Sequence, residues 1–132
     1  MRKPLVVAGL ALCALASSAA LSAHHSTAMF DRVQVRTLEG TVVDFQWTNP
    51  HAWIQVSAPG PDGTMVEWSV ECSSPNTLSR QGWTPGLLAP GQSLVIVINP
   101  MRDGTNAGLF VGMTLEDGRV FGDVSAAAGE PR

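Results

Sequence analysis

The three histidines of this 132-residue chain are the residues whose type and position suit metal binding. His24 and His25 directly follow a segment typical of an export signal, and His51 lies within the stretch Trp-Thr-Asn-Pro-His-Ala-Trp. Cleavage after Ala23 would leave His24 with a free α-amine beside its imidazole, and these two nitrogens can chelate one metal ion. A second imidazole, from His51 or His25, would complete a T-shaped site of three nitrogens, a ligand set that suits Cu(II).

The position of cleavage decides between two kinds of copper site. A cut after Ser22 would give an Ala23-His24-His25 start, and a histidine at the third position can bind Cu(II) through the amine and deprotonated amides. The histidines also have an ordinary structural interpretation, in which the pair belongs to a polar arm and His51 caps a hairpin or hydrogen-bonds to a carbonyl. Classical zinc spacing and a cysteine cluster are both missing from the sequence, which argues against a structural zinc site.

The amino-terminal segment that precedes these histidines has the three parts of a cleavable signal peptide. Arg2 and Lys3 are basic, Leu5–Leu15 is apolar, and small residues lead to a cleavage site at Ala23. We therefore expect residues 1–23 to be removed and the protein to be periplasmic or secreted. The apolar run is too short to span a bilayer, and no later segment is long enough, so we expect no transmembrane segment in the mature chain.

Cleavage changes the charge and the cysteine content of the chain. Removal of 23 residues from 132 leaves 109, enough for one domain. Six arginines and eleven acidic residues remain, which gives a net charge of −5. This charge argues against nucleic acid as a partner, because a protein binds nucleic acid mainly through cationic side chains. Cys13 leaves with the signal, so Cys72 has no partner for an intramolecular disulfide. Cys72 alternates in phase with the apolar residues of its predicted strand, which predicts a buried thiol.

Trp47, Asn49 and Trp53 offer a second kind of binding site. The two tryptophans flank the Asn49-Pro50 turn, so they could line a groove at one end of a barrel and bind a peptide, a glycan or a partner protein. The alternative is that they close the end of the barrel. Trp68 shares its phase with the apolar residues around it and is predicted to lie in the core.

Alternating apolar residues predict a series of β-strands. Leu38, Gly40 and Val42 alternate with polar residues, and the apolar phase then shifts by one at Val43, which predicts a bulge in the first strand. Further strands are predicted at Ala52–Val56, Val66–Cys72, Leu94–Ile98, Leu109–Leu115 and Val120–Val124, with a loop at Asn99–Gly108.

A short helix is predicted between the third and fourth strands. Ser74 can cap it, Pro75 suits its first position and Gly82 suits its end. Leu78 should face inward, and Trp83 should hold the helix to the barrel. Three strands, a helix and two or three strands predict an all-β fold with one short helix, an OB-like five- to six-stranded Greek-key barrel, with a small open sandwich as the alternative.

The predicted organisation is an N-terminal arm at residues 24–36, the barrel at 37–124 and a loose tail at 125–132. Within the barrel, strand alternation places Glu67 and Glu71 on the outer face, where a solvated edge explains them better than acid–base chemistry. The sequence contains no nucleophile elbow, phosphate loop or triad. We therefore expect a binding protein rather than an enzyme.

Several short motifs resemble one family of small exported proteobacterial proteins that is known only as a domain of unknown function. They are His24-His25-Ser26, Trp47-Thr48-Asn49-Pro50-His51-Ala52-Trp53, Ser74-Pro75-Asn76 with Leu78, Gly82-Trp83 and Leu88-Ala89-Pro90-Gly91. Many relatives carry an acidic residue before the first of these tryptophans, whereas this chain has Gln46. The resemblance implies a periplasmic or secreted location and supplies no activity, substrate or site residues.

Overall fold

The computed structural model of the protein describes residues 27–129. The predicted signal peptide, His24 and His25 therefore lie outside the described residues. The elements are β1 (Arg36–Gln46), β2 (Trp53–Pro59), β3 (Met65–Glu71), α1 (Pro75–Arg80), β4 (Ser93–Pro100), β5 (Ala107–Leu115), β6 (Val120–Gly122) and a 3₁₀ helix (Ser125–Gly129).

Five of the strands close into a barrel. The sheet order is β3-β2-β1-β4-β5-β6, and an additional pairing joins β3 to β5. That pairing is parallel and runs from Ser69 opposite Ala107 to Glu71 opposite Leu109, whereas the other strand pairs are antiparallel. The closed order β1-β2-β3-β5-β4, with a helix between β3 and β4, is the OB type of barrel. The predicted fold class is confirmed, and β6 extends the sheet beyond β5.

A bulge in β1 lets one long strand serve both halves of the barrel. Arg36–Thr41 pairs with β4, while Thr41–Gln46 pairs with β2 and its register shifts between Val42 and Asp44. The predicted bulge is confirmed, but Val43 does not begin the new inward phase: it is exposed, and the apolar residues that pack against the core resume at Phe45 and Trp47. Gly40 lies just before the bulge, where a Cβ atom would stand 2.3 Å from the carbonyl oxygen of Ser57.

The core lies inside the barrel and consists of the inward residues of each strand. Its largest fully buried side chains outside the helix are Val42, Ile54, Val56, Val70, Ile96, Ile98 and Met113. Trp68 is also buried, as its phase predicted. Alternation alone was therefore sufficient to identify most of the core.

Helix α1 closes one end of the barrel. Ser74 caps it by accepting a hydrogen bond from the Thr77 backbone N–H at 3.3 Å, and Pro75 occupies its first turn. Leu78 is the buried residue of the helix. After the helix the chain turns at Gly82, whose φ of +85° favours glycine.

Trp83 attaches this helix to the strands. It is buried, and its ring lies edge-on to Phe110 and Phe121 with centroids 5.1 and 5.5 Å apart. Phe45 of β1 lies 6.2 Å away on another side. These ring contacts join β1, β5 and β6 at the helix end of the barrel and confirm the predicted role of Trp83.

Three predictions near β4 and β6 need correction. Asn99 and Pro100 belong to β4, and Ala107 and Gly108 belong to β5, so the predicted loop is shorter than residues 99–108. The continuous apolar run of β4 was predicted to be a buried strand, but Val95 is 38% exposed on the outer face. The last strand ends at Gly122 rather than Val124. Long-range pairing with β1, β3 and β5 sets these limits, which local sequence does not encode.

Between residues 27 and 129, no helix has the length and apolar character that crossing a membrane would require.

Candidate functional site

A cleft of about 260 Å³ opens where β2 begins and β3 ends. The residues that line it are Thr27, Arg32, His51, Glu71, Cys72, Ser73, Leu109 and Phe110. It brings together the N-terminal segment, the start of β5 and one of the three predicted metal ligands.

His51 is held at the edge of this cleft by the backbone around it. It follows the turn that contains the cis Asn49-Pro50 peptide bond, and Thr48 Oγ1 donates a hydrogen bond to its carbonyl at 3.0 Å. The next residue, Ala52, is tied to the end of β3 twice, donating to the Ser73 carbonyl and accepting from the Cys72 N–H. Both bonds fix the backbone beside the ring of His51 against the end of β3.

The imidazole of His51 forms a close pair with the carboxylate of Glu71. Nδ1 of His51 lies 2.5 Å from Oε1 of Glu71, and the two side chains are 38% and 8% exposed. Trp53 stands directly opposite Glu71 in the ladder, so His51, two residues earlier, reaches Glu71 diagonally across the outer face. The pair joins a solvent-accessible ring to a buried carboxylate.

The prediction that Glu71 is solvated is wrong. Alternation correctly places it on the outer face of β3, but the structure buries it there. The ring of His51 lies against its carboxylate, and Leu109 of β5 is its neighbour on the other side. Glu67, four residues earlier on the same strand, is exposed as predicted. The difference arises because β3 meets β5 only at its last residues.

The pairing selects the tautomer of His51. A carboxylate at Nδ1 is satisfied when that nitrogen carries the hydrogen and donates it, which leaves the lone pair on Nε2. Histidines that bind metals commonly have this arrangement, with a carboxylate or carbonyl accepting from the nitrogen that is not the ligand. His51 is therefore prepared to offer Nε2 as a ligand.

Cys72 borders the cleft as a protonated thiol. Its residue is 3% exposed, and its Sγ donates to the Val70 carbonyl at 3.9 Å. Burial raises the pKa of the thiol far above its ordinary value, and the negative charge of Glu71 raises it further. The predicted buried cysteine is confirmed, and a thiolate nucleophile or thiolate ligand is disfavoured here.

The N-terminal segment reaches the same cleft. Thr27 and Arg32 line it, and sequence reasoning did not single out either residue. His24 precedes Thr27 by three residues, a length of chain that spans at most about 10 Å. Within residues 27–129, no group of three or more His, Cys, Asp or Glu side chains could hold a metal ion.

The residues of the predicted aromatic site flank one turn but face different surroundings. Trp47 packs edge-on against Phe45, with centroids 5.7 Å apart, and contacts the core. Trp53 stands opposite Gln46, so it faces the outside, while Asn49 is exposed in the turn. None of the three lines the cleft beside His51. Binding through this end of the barrel stays a prediction.

No curated protein matches this chain. Among solved structures, the mitochondrial single-stranded DNA-binding protein Rim1 of S. cerevisiae is similar, with 9% sequence identity and a TM-score of 0.47 over 65% of this chain and 97% of that protein. Similarity at this level says nothing about ligands. A family model matches residues 11–111, and the chain belongs to that family, a family of unknown function (DUF6152).

Proposed function

We propose that the protein binds Cu(II) through the amine and imidazole of His24 and through Nε2 of His51, with His25 as a further candidate ligand. The observation that carries the proposal is the pairing of His51 with buried Glu71 in a cleft that Thr27 also borders. This supports the proposal because a carboxylate orients the ring of His51 and because His24 precedes Thr27 by three residues in the sequence.

The chemistry of the cleft favours Cu(II) over softer or harder ions. Cys72 is 3% exposed, and its Sγ is directed at the Val70 carbonyl, so the ligands on offer are imidazole and amine nitrogens, together with one carboxylate already engaged with His51. Nitrogen ligands in square or T-shaped geometry suit Cu(II), whereas tetrahedral zinc sites use four ligands. Cleavage after Ala23 supplies the amine, and cleavage after Ser22 would give a site that does not use His51.

The test is a titration of processed protein with Cu(II). Protein exported with its own signal is checked by intact mass for a start at His24, and binding is followed by calorimetry and electron paramagnetic resonance. We expect His24→Ala and His51→Ala each to weaken binding by more than tenfold and to change the spectrum. Asp44→Asn, which changes an exposed acid that does not line the cleft, serves as the matched control and should leave both the affinity and the spectrum unchanged.

Two results would overturn the proposal. An unchanged affinity in His24→Ala removes the central ligand. Loss of affinity in His24→Ala with none in His51→Ala identifies an amine-and-amide site at the terminus, in which the pair of His51 and Glu71 is only a structural hydrogen bond. A blue shift of tryptophan fluorescence with a peptide or glycan, and no response to copper, would support the aromatic site instead.

A further inference from the structure

Arg32 places a cationic side chain at the edge of the 260 Å³ cleft. Arg102 and Arg119 are paired with aspartates, and the guanidinium of Arg36 lies over the ring of Trp68, 4.6 Å from its centroid. In the part of the chain that the structure describes, Arg32 has no carboxylate within salt-bridge distance, and it is exposed. Its guanidinium is therefore available to a carboxylate of a ligand, which it can bind through two parallel hydrogen bonds.

The backbone on both sides of Arg32 is held in place. The Asp31 N–H donates to the Pro100 carbonyl at 2.8 Å, and the Val33 N–H donates to a carboxylate oxygen of Asp31 at 3.2 Å. The point from which Arg32 reaches the cleft is thus set before any ligand binds, which lowers the cost of ordering the site.

The N-terminal segment is attached to the barrel just before Arg32. Phe30 is 2% exposed and forms an isolated antiparallel bridge with Met101, just beyond β4. Nε of Arg102 donates to the Ala28 carbonyl at 3.2 Å. These contacts keep the segment that carries Arg32 beside the start of β5.

The other walls of the cleft differ from Arg32 in polarity and charge. Leu109 and Phe110 of β5 are half-buried and form an apolar wall. The carboxylate of Glu71 lies at Nδ1 of His51, so the lone pair of Nε2 can accept a hydrogen bond from a hydroxyl group. A simple inorganic anion would leave the apolar wall uncovered and would meet the negative charge of Glu71.

We propose that this cleft binds a small hydroxycarboxylate with an apolar body. The carboxylate binds the guanidinium of Arg32, the body packs against Leu109 and Phe110, and the hydroxyl donates to Nε2 of His51. A volume of about 260 Å³ lies just below the range of about 300–1,000 Å³ that is usual for drug-sized ligands, so the occupant is about as large as one substituted ring. This binding uses only residues between 27 and 129 and needs no metal ion.

The ortho, meta and para isomers of hydroxybenzoate are suitable probes, because they place the hydroxyl at three distances from the carboxylate. Each is titrated in EDTA buffer into the exported, isotope-labelled protein, and amide chemical shifts are followed by NMR. We expect at least one isomer to bind with a dissociation constant below about 1 mM and to shift the amides of Ser73, Leu109 and Phe110. Benzoate, which lacks the hydroxyl, should bind about fivefold more weakly.

Two variants test the polar contacts separately. Arg32→Gln should weaken binding of the tightest isomer by about tenfold, because it removes a charge-assisted hydrogen bond. Arg80→Gln is the matched control, since Arg80 is also exposed and forms no ion pair within residues 27–129 but does not line the cleft. In His51→Ala, the isomer and benzoate should bind equally, because only the hydroxyl loses its partner. A dispersed amide spectrum confirms that each variant is folded.

Three results would overturn the carboxylate site. They are no binding of any isomer, an equal loss of affinity in Arg32→Gln and Arg80→Gln, and shifts confined to the turn between Trp47 and Trp53. Because EDTA removes metal ions, these results do not depend on the copper site. A failed copper titration would leave the carboxylate site standing, and a failed hydroxybenzoate titration would leave the copper site standing.

Discussion

The pair of His51 and Glu71 shows how one buried carboxylate can orient a histidine at the surface. Glu71 is buried on the outer face of β3, and its Oε1 lies 2.5 Å from Nδ1 of His51. The carboxylate therefore orients the ring and favours the tautomer with its hydrogen on Nδ1. In the proposed copper site, such a partner would add affinity without touching the metal.

Removal of Glu71 should weaken Cu(II) binding while leaving the ligands in place. Mutation of an outer-shell partner typically lowers metal affinity about 10- to 100-fold, so we expect a loss of that size in Glu71→Ala. Glu71→Gln should lose less, because its amide oxygen can still accept from Nδ1. Calorimetric titration measures both.

Glu67→Gln is the control for this experiment, since Glu67 lies on the same strand and face but is exposed. If Glu67→Gln loses as much Cu(II) affinity as Glu71→Ala, the effect comes from the negative charge of the protein in general and not from the pairing with His51. An unchanged affinity in Glu71→Ala would show that the carboxylate does not act through His51.

Among single residues, the sequence identified His51 as a candidate ligand but did not identify Glu71 as the partner of its imidazole. Alternation along β3 places Glu71 on the outer face, and it contains no information about what covers that face. The cover comes from His51 on β2 and from Leu109 on β5, both distant in sequence. The burial of Phe30 was missed for a related reason. A single apolar residue among polar residues forms no periodic pattern from which burial could be predicted.

The elements that build the site depend on the curvature of β1. The bulge after Val42 and the close approach at Gly40 allow β1 to pair with β4 and then with β2. The bulge was predicted from the change of apolar phase, since the phase of a strand determines its burial, whereas the close approach of Gly40 to β2 is seen only in the structure. The parallel contact of β3 with β5, which closes the barrel, has no such local pattern.

Gly40→Ala should destabilise the barrel. An added Cβ would lie 2.3 Å from the Ser57 carbonyl oxygen and 3.0 Å from a methyl group of Val56, so two strands would have to move apart. Overpacking of this kind costs about 1–3 kcal/mol, measurable by urea unfolding. Gly86→Ala, where a Cβ would meet nothing within 4 Å, should change stability by less than about 0.5 kcal/mol. Equal effects of the two substitutions would contradict this account of β1.

The whole molecule combines an OB barrel with an acidic chain. The net charge is −3 for the full sequence and −5 after cleavage at Ala23. A barrel of this type hosts many unrelated ligands, so the fold alone assigns none. The net charge does distinguish between classes of ligand, because binding to the phosphate backbone of a nucleic acid requires cationic contacts that release counterions.

We expect no binding of single-stranded DNA at physiological salt. Titration with a labelled oligothymidine, followed by fluorescence anisotropy and by the intrinsic fluorescence of the four tryptophans, should show no change up to micromolar protein. Repetition at low salt is the control for weak electrostatic contact. Salt-resistant binding at micromolar concentration would contradict the argument from charge.

The attachment of the N-terminal segment also has a consequence for the nascent polypeptide. Arg102 and Ala28 are 74 positions apart, so a ribosome must complete most of the chain before the two can meet. A truncated translation product that ends before residue 100 would lack Arg102 and also Met101, which forms a β-bridge with Phe30. Only a nearly complete polypeptide can therefore fix residues 28–31 to the barrel.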